Sequence, residues 1–157
     1  MRVTRERKEI LKPLGVNRIT IAVSDLDKAV DIFSRLLNTT FFYATATAEP
    51  YGINAALSWD AGIELCAPVP GRKSDISEFI EKRGEGLMSV YFSVDDVEEA
   101  RARAEELGAG IKATVEFNKD EIDRYFQARF RTFKEYLLAD TSVTCGARII
   151  LGQFDPG

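Results

Sequence analysis

The feature that most constrains this chain is a pattern that occurs twice. VNRITIAVSDLDKAVDIFSRLL, starting at Val16, alternates Ile19, Ile21 and Val23 against Arg18, Thr20 and Ala22, the period of a half-buried strand. Ser24-Asp25-Leu26-Asp27 then offers a helix N-cap, and apolar residues recur at helical spacing through Leu26, Ala29, Val30, Phe33, Leu36 and Leu37. MSVYFSVDDVEEARARAEELG, starting at Met88, repeats the order: Val90, Phe92 and Val94 alternate with Ser89, Tyr91 and Ser93. Asp95-Asp96 opens a helix with Val97, Ala100, Ala104 and Leu107 on one side, ending at Gly108. An alternating strand, an acidic cap and an amphipathic helix met twice imply an internal duplication.

The first copy continues with strand-like stretches at Thr40 to Thr47, Asn54 to Trp59 and Ile63 to Ala67, separated by turn signals at Glu49-Pro50-Tyr51-Gly52 and Asp60-Ala61-Gly62. It reads as strand, helix and three strands over residues 16–68. Residues 69–86 form a connector with a short helix over Ile76 to Lys82, and residues 87–157 form the second copy. Lys119 to Phe133, with Ile122, Tyr125, Phe126, Phe130 and Phe133, fits an inserted helix whose aromatic stripe serves packing or covers a pocket. Glu135 to Leu138 and Ala147 to Gln153 supply the last two strands. Residues 1–15 are a charged leader in which both signs interleave: Arg2, Arg5, Glu6, Arg7, Lys8, Glu9 and Lys12.

At 157 residues the chain suits one domain, or two small modules sharing a core. Hydrophobic residues at 45% and charged residues at 29% are a globular mixture. The 21 Lys and Arg are scattered among 25 Asp and Glu, so no basic face for nucleic acid is apparent. No apolar run has the length of a membrane span or the placement of a secretory signal. Two cysteines, Cys66 and Cys145, make no disulfide framework, and a cytoplasmic location is expected. The count that excludes most chemistry is that of histidine, which is 0. The commonest neutral nitrogen ligand for transition metals and the usual general base near neutral pH are both missing.

The duplicated pattern, with IAVSDLDKAV in the first half and FIEKRGEGLMSVYFSVDD in the second, resembles the vicinal-oxygen-chelate (glyoxalase and bleomycin-resistance) superfamily. The likeness runs from about Val16 to Phe154, and the second stretch looks most like methylmalonyl-CoA epimerases. The resemblance implies an α+β fold in which two βαβββ modules form a curved mixed sheet around a cavity. It also implies a divalent metal held by one residue from the first and last strand of each module. Carried over in register, those positions are Arg18, Glu64, Ser89 and Ile150, so one ligand of the expected four survives. A closed metal site needs three or four N, O or S donors at about 2.0–2.6 Å, and Arg18 brings a permanent cation instead. The acidic residue that the epimerases are expected to carry after a glycine falls at Ala55, which adds doubt to their proton-transfer role here.

The expectation is therefore a protein that needs no metal or cofactor. Its cavity is lined by Arg18, Thr20, Glu64, Cys66, Ser89, Tyr91, Ser93 and Arg148, and it takes a small anionic or planar organic molecule. An organic acid, an acyl thioester or an enolisable polyphenol would suit. A homodimer is expected, with neither nucleic acid nor membrane as partner. One reading is a binding module that sequesters or carries its ligand. The alternative is a metal-free isomerase, epimerase or lyase in which Arg18 stabilises an enolate oxygen and Glu64 acts as base. Against that stands a bland possibility, in which Arg18 and Glu64 form a buried ion pair that only supports the sheet. Tyr91 as an acid and Cys66 as a nucleophile lack a histidine to activate them. A third possibility is a scaffold within an assembly, for which only the charged leader speaks.

Overall fold

Strand β1 (Pro13–Ala22) shows from Asn17 onward the burial alternation its sequence dictates, with Arg18, Thr20 and Ala22 buried. The computed structural model describes residues 11–44 and 48–157; leader residues 1–10 and the end of the strand expected over Thr40 to Thr47 lie outside the described residues. Helix α1 (Leu26–Leu37) begins where Asp25 accepts the Lys28 amide N–H, and ends at Asn38 in a left-handed conformation with φ 49°. Strand β2 (Phe42–Ala44), a short helix α2 (Ala48–Tyr51), β3 (Ile53–Ser58) and β4 (Ile63–Pro68) complete the first module. The connector carries α3 (Asp75–Arg83), started by a reciprocal capping box between Ser74 and Ser77.

The second module repeats the plan with β5 (Gly86–Val94), α4 (Val97–Glu106), β6 (Ile111–Phe117), α5 (Lys119–Phe126), β7 (Phe133–Leu138) and β8 (Ile149–Gln153). Asp96 caps α4 by accepting from the Glu98 and Glu99 amides. Gln153 Oε1 accepts the Val97 amide N–H at 3.0 Å, tying the last strand to the start of that helix.

All eight strands form one mixed sheet in the order β2-β3-β4-β1-β5-β8-β7-β6. Each module places its last strand parallel to its first, β4 beside β1 and β8 beside β5. The modules meet at the antiparallel seam of β1 and β5, where Arg18 faces Tyr91 and Thr20 faces Ser89. They therefore pair within one chain. The curved sheet packs Ile63, Leu65 and Ala67 against α1 on its outer face, and Val94 and Tyr136 against Val97 and Ala100 of α4. Its inner face surrounds the cavity. This is the α+β architecture that the family resemblance implied.

Several boundaries differ from the expectation, each for a local reason. β1 starts inside the supposed leader, because Pro13 pairs with Val94 and Asp95 accepts the Lys12 amide. The insert is helical only to Phe126: Gln127 and Ala128 take positive φ, turning the chain so that Phe130 and Phe133 pack back on the helix. Strand β6, which the sequence reading did not single out, forms the edge beside β7.

Candidate functional site

The inner face of β1 carries Arg18 and Thr20, and the strands on either side supply Glu64 and Cys66 from β4 and Ser89 and Tyr91 from β5. These six, with Arg148 and Ile150, line one cavity of about 370 Å³. That volume suits a small organic ligand. Its remaining wall is largely apolar and includes Tyr51, Ile53, Ala55, Leu57, Ile76 and Met88 on one side and Ala113, Val115, Phe117, Phe126, Phe133 and Leu137 on the other. Ser93, expected on the same face, is half-buried and does not line the cavity. It lies opposite Gly15 and Gly152, and the Phe154 ring packed on Gly152 and Phe133 fills that end.

Arg18 is the centre of the site, with 4% of its surface exposed. Nε donates to Glu64 Oε2 at 2.5 Å, Nη2 to Glu135 Oε1 at 2.7 Å and Nη1 to Asn17 Oδ1 at 2.9 Å. Its guanidinium carbon sits 3.7 Å from the Tyr91 ring centroid and 5.3 Å from that of Trp59, a cation–π arrangement inside an aromatic wall. Glu64 accepts a second bond, from the Cys66 thiol at 3.3 Å, and Thr20 Oγ1 meets the Tyr91 hydroxyl at 3.3 Å.

Glu135 is the residue the sequence reading missed. It stands on β7 between Phe133 and Leu137, an inward position on a strand outside the four expected ligand positions. A carboxylate on an otherwise apolar alternating face was the signal available. With it, Arg18 is bound by one carboxylate from each module, and all three side chains are largely buried.

The charges follow from this packing. Burial alone would lower the Arg18 guanidinium, but Glu135 and Glu64 together outweigh it and hold the group above its ordinary range, so it stays cationic. Burial raises the Glu135 carboxyl above the usual carboxylate value; Arg18 opposes the rise and Glu64 adds to it. Burial also pushes the Cys66 thiol and the Tyr91 phenol well above their ordinary values, so neither is ionised near neutral pH. Arg148 is not beside Arg18: it sits at the rim, 3.5 Å from Asp75 Oδ2.

The residues do not fit a divalent metal. Of the four positions expected to converge, Arg18 is a cation, Ile150 a hydrocarbon and Ser89 a neutral hydroxyl, and the one carboxylate, Glu64, is engaged by Arg18. Among the described residues no group of three or more His, Cys, Asp or Glu side chains is placed to hold a metal ion. A dication placed there would compete with the guanidinium for Glu64 and Glu135 and be repelled by it.

Two βαβββ modules paired about a central seam, enclosing a polar-floored cavity, define a class of small-molecule proteins. The chain belongs to the Glyoxalase/Bleomycin resistance protein/Dioxygenase superfamily, whose sequence profile matches residues 17–126. Among solved structures it is similar to methylmalonyl-CoA epimerase from Mycobacterium tuberculosis, with TM-score 0.69 and 23% identity over 90% of this chain and 89% of that one. It is also similar to Streptomyces coelicolor methylmalonyl-CoA epimerase in complex with 2-nitronate-propionyl-CoA, with TM-score 0.71 and 18% identity over 91% and 96%. A hypothetical protein from Bacillus halodurans aligns with TM-score 0.68 and 19% identity over 95% and 98%. No curated protein sequence matches. Among the described residues no helix is long and apolar enough to cross a membrane.

Proposed function

We propose that this protein binds a small, largely apolar or planar organic molecule in the cavity under Arg18, and that it does so without a divalent metal. The observation that carries the reading is the neutralisation of the Arg18 charge by Glu64 and Glu135 at the cavity floor. A guanidinium has five N–H donors, and three are already given to Glu64, Glu135 and Asn17. With both carboxylates in contact, the floor carries no surplus positive charge, so a ligand anion gains little there. The contact area on offer is instead the aromatic and aliphatic wall of Phe117, Phe126, Phe133, Leu57 and Ile76. The superfamily supports small-molecule binding in general terms.

One observation favours a catalytic version, an isomerase or lyase acting through an enolate. The raised Glu135 carboxyl can hold a proton nearer neutrality than an ordinary carboxylate, as proton transfer at an acidic C–H requires. Glu64, expected from the sequence to be the base, is occupied by Arg18 and Cys66 and is the less available of the two. The homodimer also belongs to this reading: Val16 and Phe92, cross-strand partners at the seam, are 58% and 38% exposed, an apolar surface that a second copy would cover. The cytoplasmic location expected from the cysteine usage is carried with it.

The test is a thermal-shift screen of metal-free protein against aromatic and aliphatic metabolites. A ligand at 100 times its Kd adds about 2.7 kcal/mol of apparent stability. Hits are expected to vanish in Ala113→Trp, which fills the cavity from its half-buried edge strand. Deuterium wash-in at an acidic C–H of a hit, abolished by Glu135→Gln, supports the enzyme; its absence with retained binding supports the carrier. Hits that persist unchanged in Ala113→Trp, or that require added metal, refute the reading.

A further inference from the structure

Beside the cavity lies a second hollow of about 520 Å³, between α3, the start of β8 and the loop before it. The two adjoin: Asp75, Ser89 and Arg148 line both. Their chemistry is opposite. The inner chamber has its central cation, Arg18, held between two carboxylates, whereas the outer groove is lined by Lys82, Arg83, Lys112 and Arg148 against Asp75 and Glu78. Glu78 is already held by Lys73 at 3.2 Å. That leaves Asp75, at the first position of α3, as the one carboxylate facing two cations at the junction. Its Oδ2 lies 3.0 Å from Lys112 Nζ and 3.5 Å from Arg148 Nη2.

We infer that this junction is an oxyanion subsite: Lys112 and Arg148 take the carboxylate or phosphate of a ligand whose organic head occupies the inner chamber, and Asp75 holds the two cations in place until that oxyanion replaces it. The inference rests on the binding reading above and moves its charge recognition from the floor of the cavity to its mouth. The three side chains are 32% to 47% exposed, with Arg148 at 32%, Asp75 at 35% and Lys112 at 47%. Ion pairs this accessible are weak, so exchanging one carboxylate for another oxyanion costs little. Arg148 presents a planar fork suited to carboxylate or phosphate, and Lys112 a mobile point charge beside it. The three come from separate elements, α3, β6 and the approach to β8, so the subsite also clasps the connector helix to the second module. A ligand satisfying both compartments is an amphiphilic organic oxyanion with its charge at one end; a neutral planar molecule fills only the chamber.

The experiment compares two fluorescent probes on the full chain, anilinonaphthalene sulfonate and its neutral counterpart N-phenylnaphthylamine, with Ala113→Trp as the control for chamber binding. In Lys112→Ala/Arg148→Ala the sulfonate is expected to lose at least about tenfold in affinity, the size of one charge-assisted hydrogen bond, while the neutral probe stays within about twofold. Asp75→Asn is expected to tighten the sulfonate and leave the neutral probe alone, and added salt to weaken only the sulfonate. Equal changes for both probes, or an unchanged sulfonate in the double variant, overturn the subsite while leaving the chamber reading intact. Failure of both probes to bind, or binding indifferent to Ala113→Trp, overturns the chamber reading and the subsite together.

Discussion

Replacing Arg18 by methionine keeps most of its length and removes its charge, and the structure fixes what should follow. Glu64 and Glu135 are 8% and 4% exposed and would be left in the sheet interior with no cation between them. Removing one partner of a buried ion pair costs about 3–5 kcal/mol, because the remaining charge is desolvated and uncompensated. That is a large share of the roughly 5–15 kcal/mol that stabilises a domain. For a chain of this length it lowers Tm by about 6–20 °C, at about 2–4 °C per kcal/mol. The sign of the pH dependence follows from the same geometry. Without Arg18, the folded Glu135 carboxyl, already held by burial above the unfolded value of about 4.3, loses the cation that opposes the rise. Groups raised on folding contribute stability that is fully present below that value and lost as pH rises through the folded pKa. The deficit of Arg18→Met should therefore be largest above pH 7 and shrink towards pH 4.5. Urea unfolding followed by circular dichroism at several pH values measures it. Arg18→Met/Glu64→Leu/Glu135→Leu should recover most of the loss, since apolar replacements of a buried ionic triad are often neutral or stabilising. A deficit under about 1 kcal/mol at pH 8, or one that does not change with pH, would refute the electrostatic account.

Four further outcomes are expected. Purified protein should hold sub-stoichiometric metal by mass spectrometry and show no Tm rise with zinc, cobalt or manganese. Arg18→His/Ser89→His/Ile150→Glu, which with Glu64 places two imidazoles and two carboxylates in one cavity, should gain a cobalt absorption band; stoichiometric metal in the parent chain, or none in the variant, contradicts the register. Glu135→Gln should flatten the fall in stability above pH 4.5, because the raised Glu135 carboxyl favours the fold at low pH and loses that advantage as it ionises; an unchanged pH profile excludes it as the titrating group. Gly152→Ala should destabilise by about 1–3 kcal/mol, since a Cβ there would overlap the Phe154 ring, which is held by Phe130 and Phe133; a neutral effect in thermal unfolding would show that the ring can move aside.

Much of this arrangement was legible because the repeat is strong where the modules begin. The alternation of Arg18, Thr20 and Ala22 against Ile19 and Ile21 fixes which side chains enter the cavity, and a slip of one residue would bury the other set. The same logic places Glu64, Cys66, Ser89 and Tyr91. β6 alternates Ile111, Ala113, Val115 and Phe117 with Lys112, Thr114 and Glu116, but its apolar face is only half-buried at the sheet edge and it runs directly into the aromatic insert, which blurs its signal. Glu135 was not visible as a site residue because its role depends on a partner 117 residues away. Only the closure of the sheet brings β7 opposite β1. Ser93 shows the converse: its alternation is correct, but Phe154 fills the space it would face, and distant packing of that kind leaves no trace in local periodicity.

The position of Arg18 between the halves has an evolutionary corollary. Its two acidic partners lie 46 and 117 residues along the chain, one in each duplicated unit. A single substitution at residue 18 strands both of them, whereas loss of one acid still leaves Arg18 paired with the other. Change at residue 18 is therefore constrained by both acids together, because side chains in contact are energetically coupled and do not vary independently.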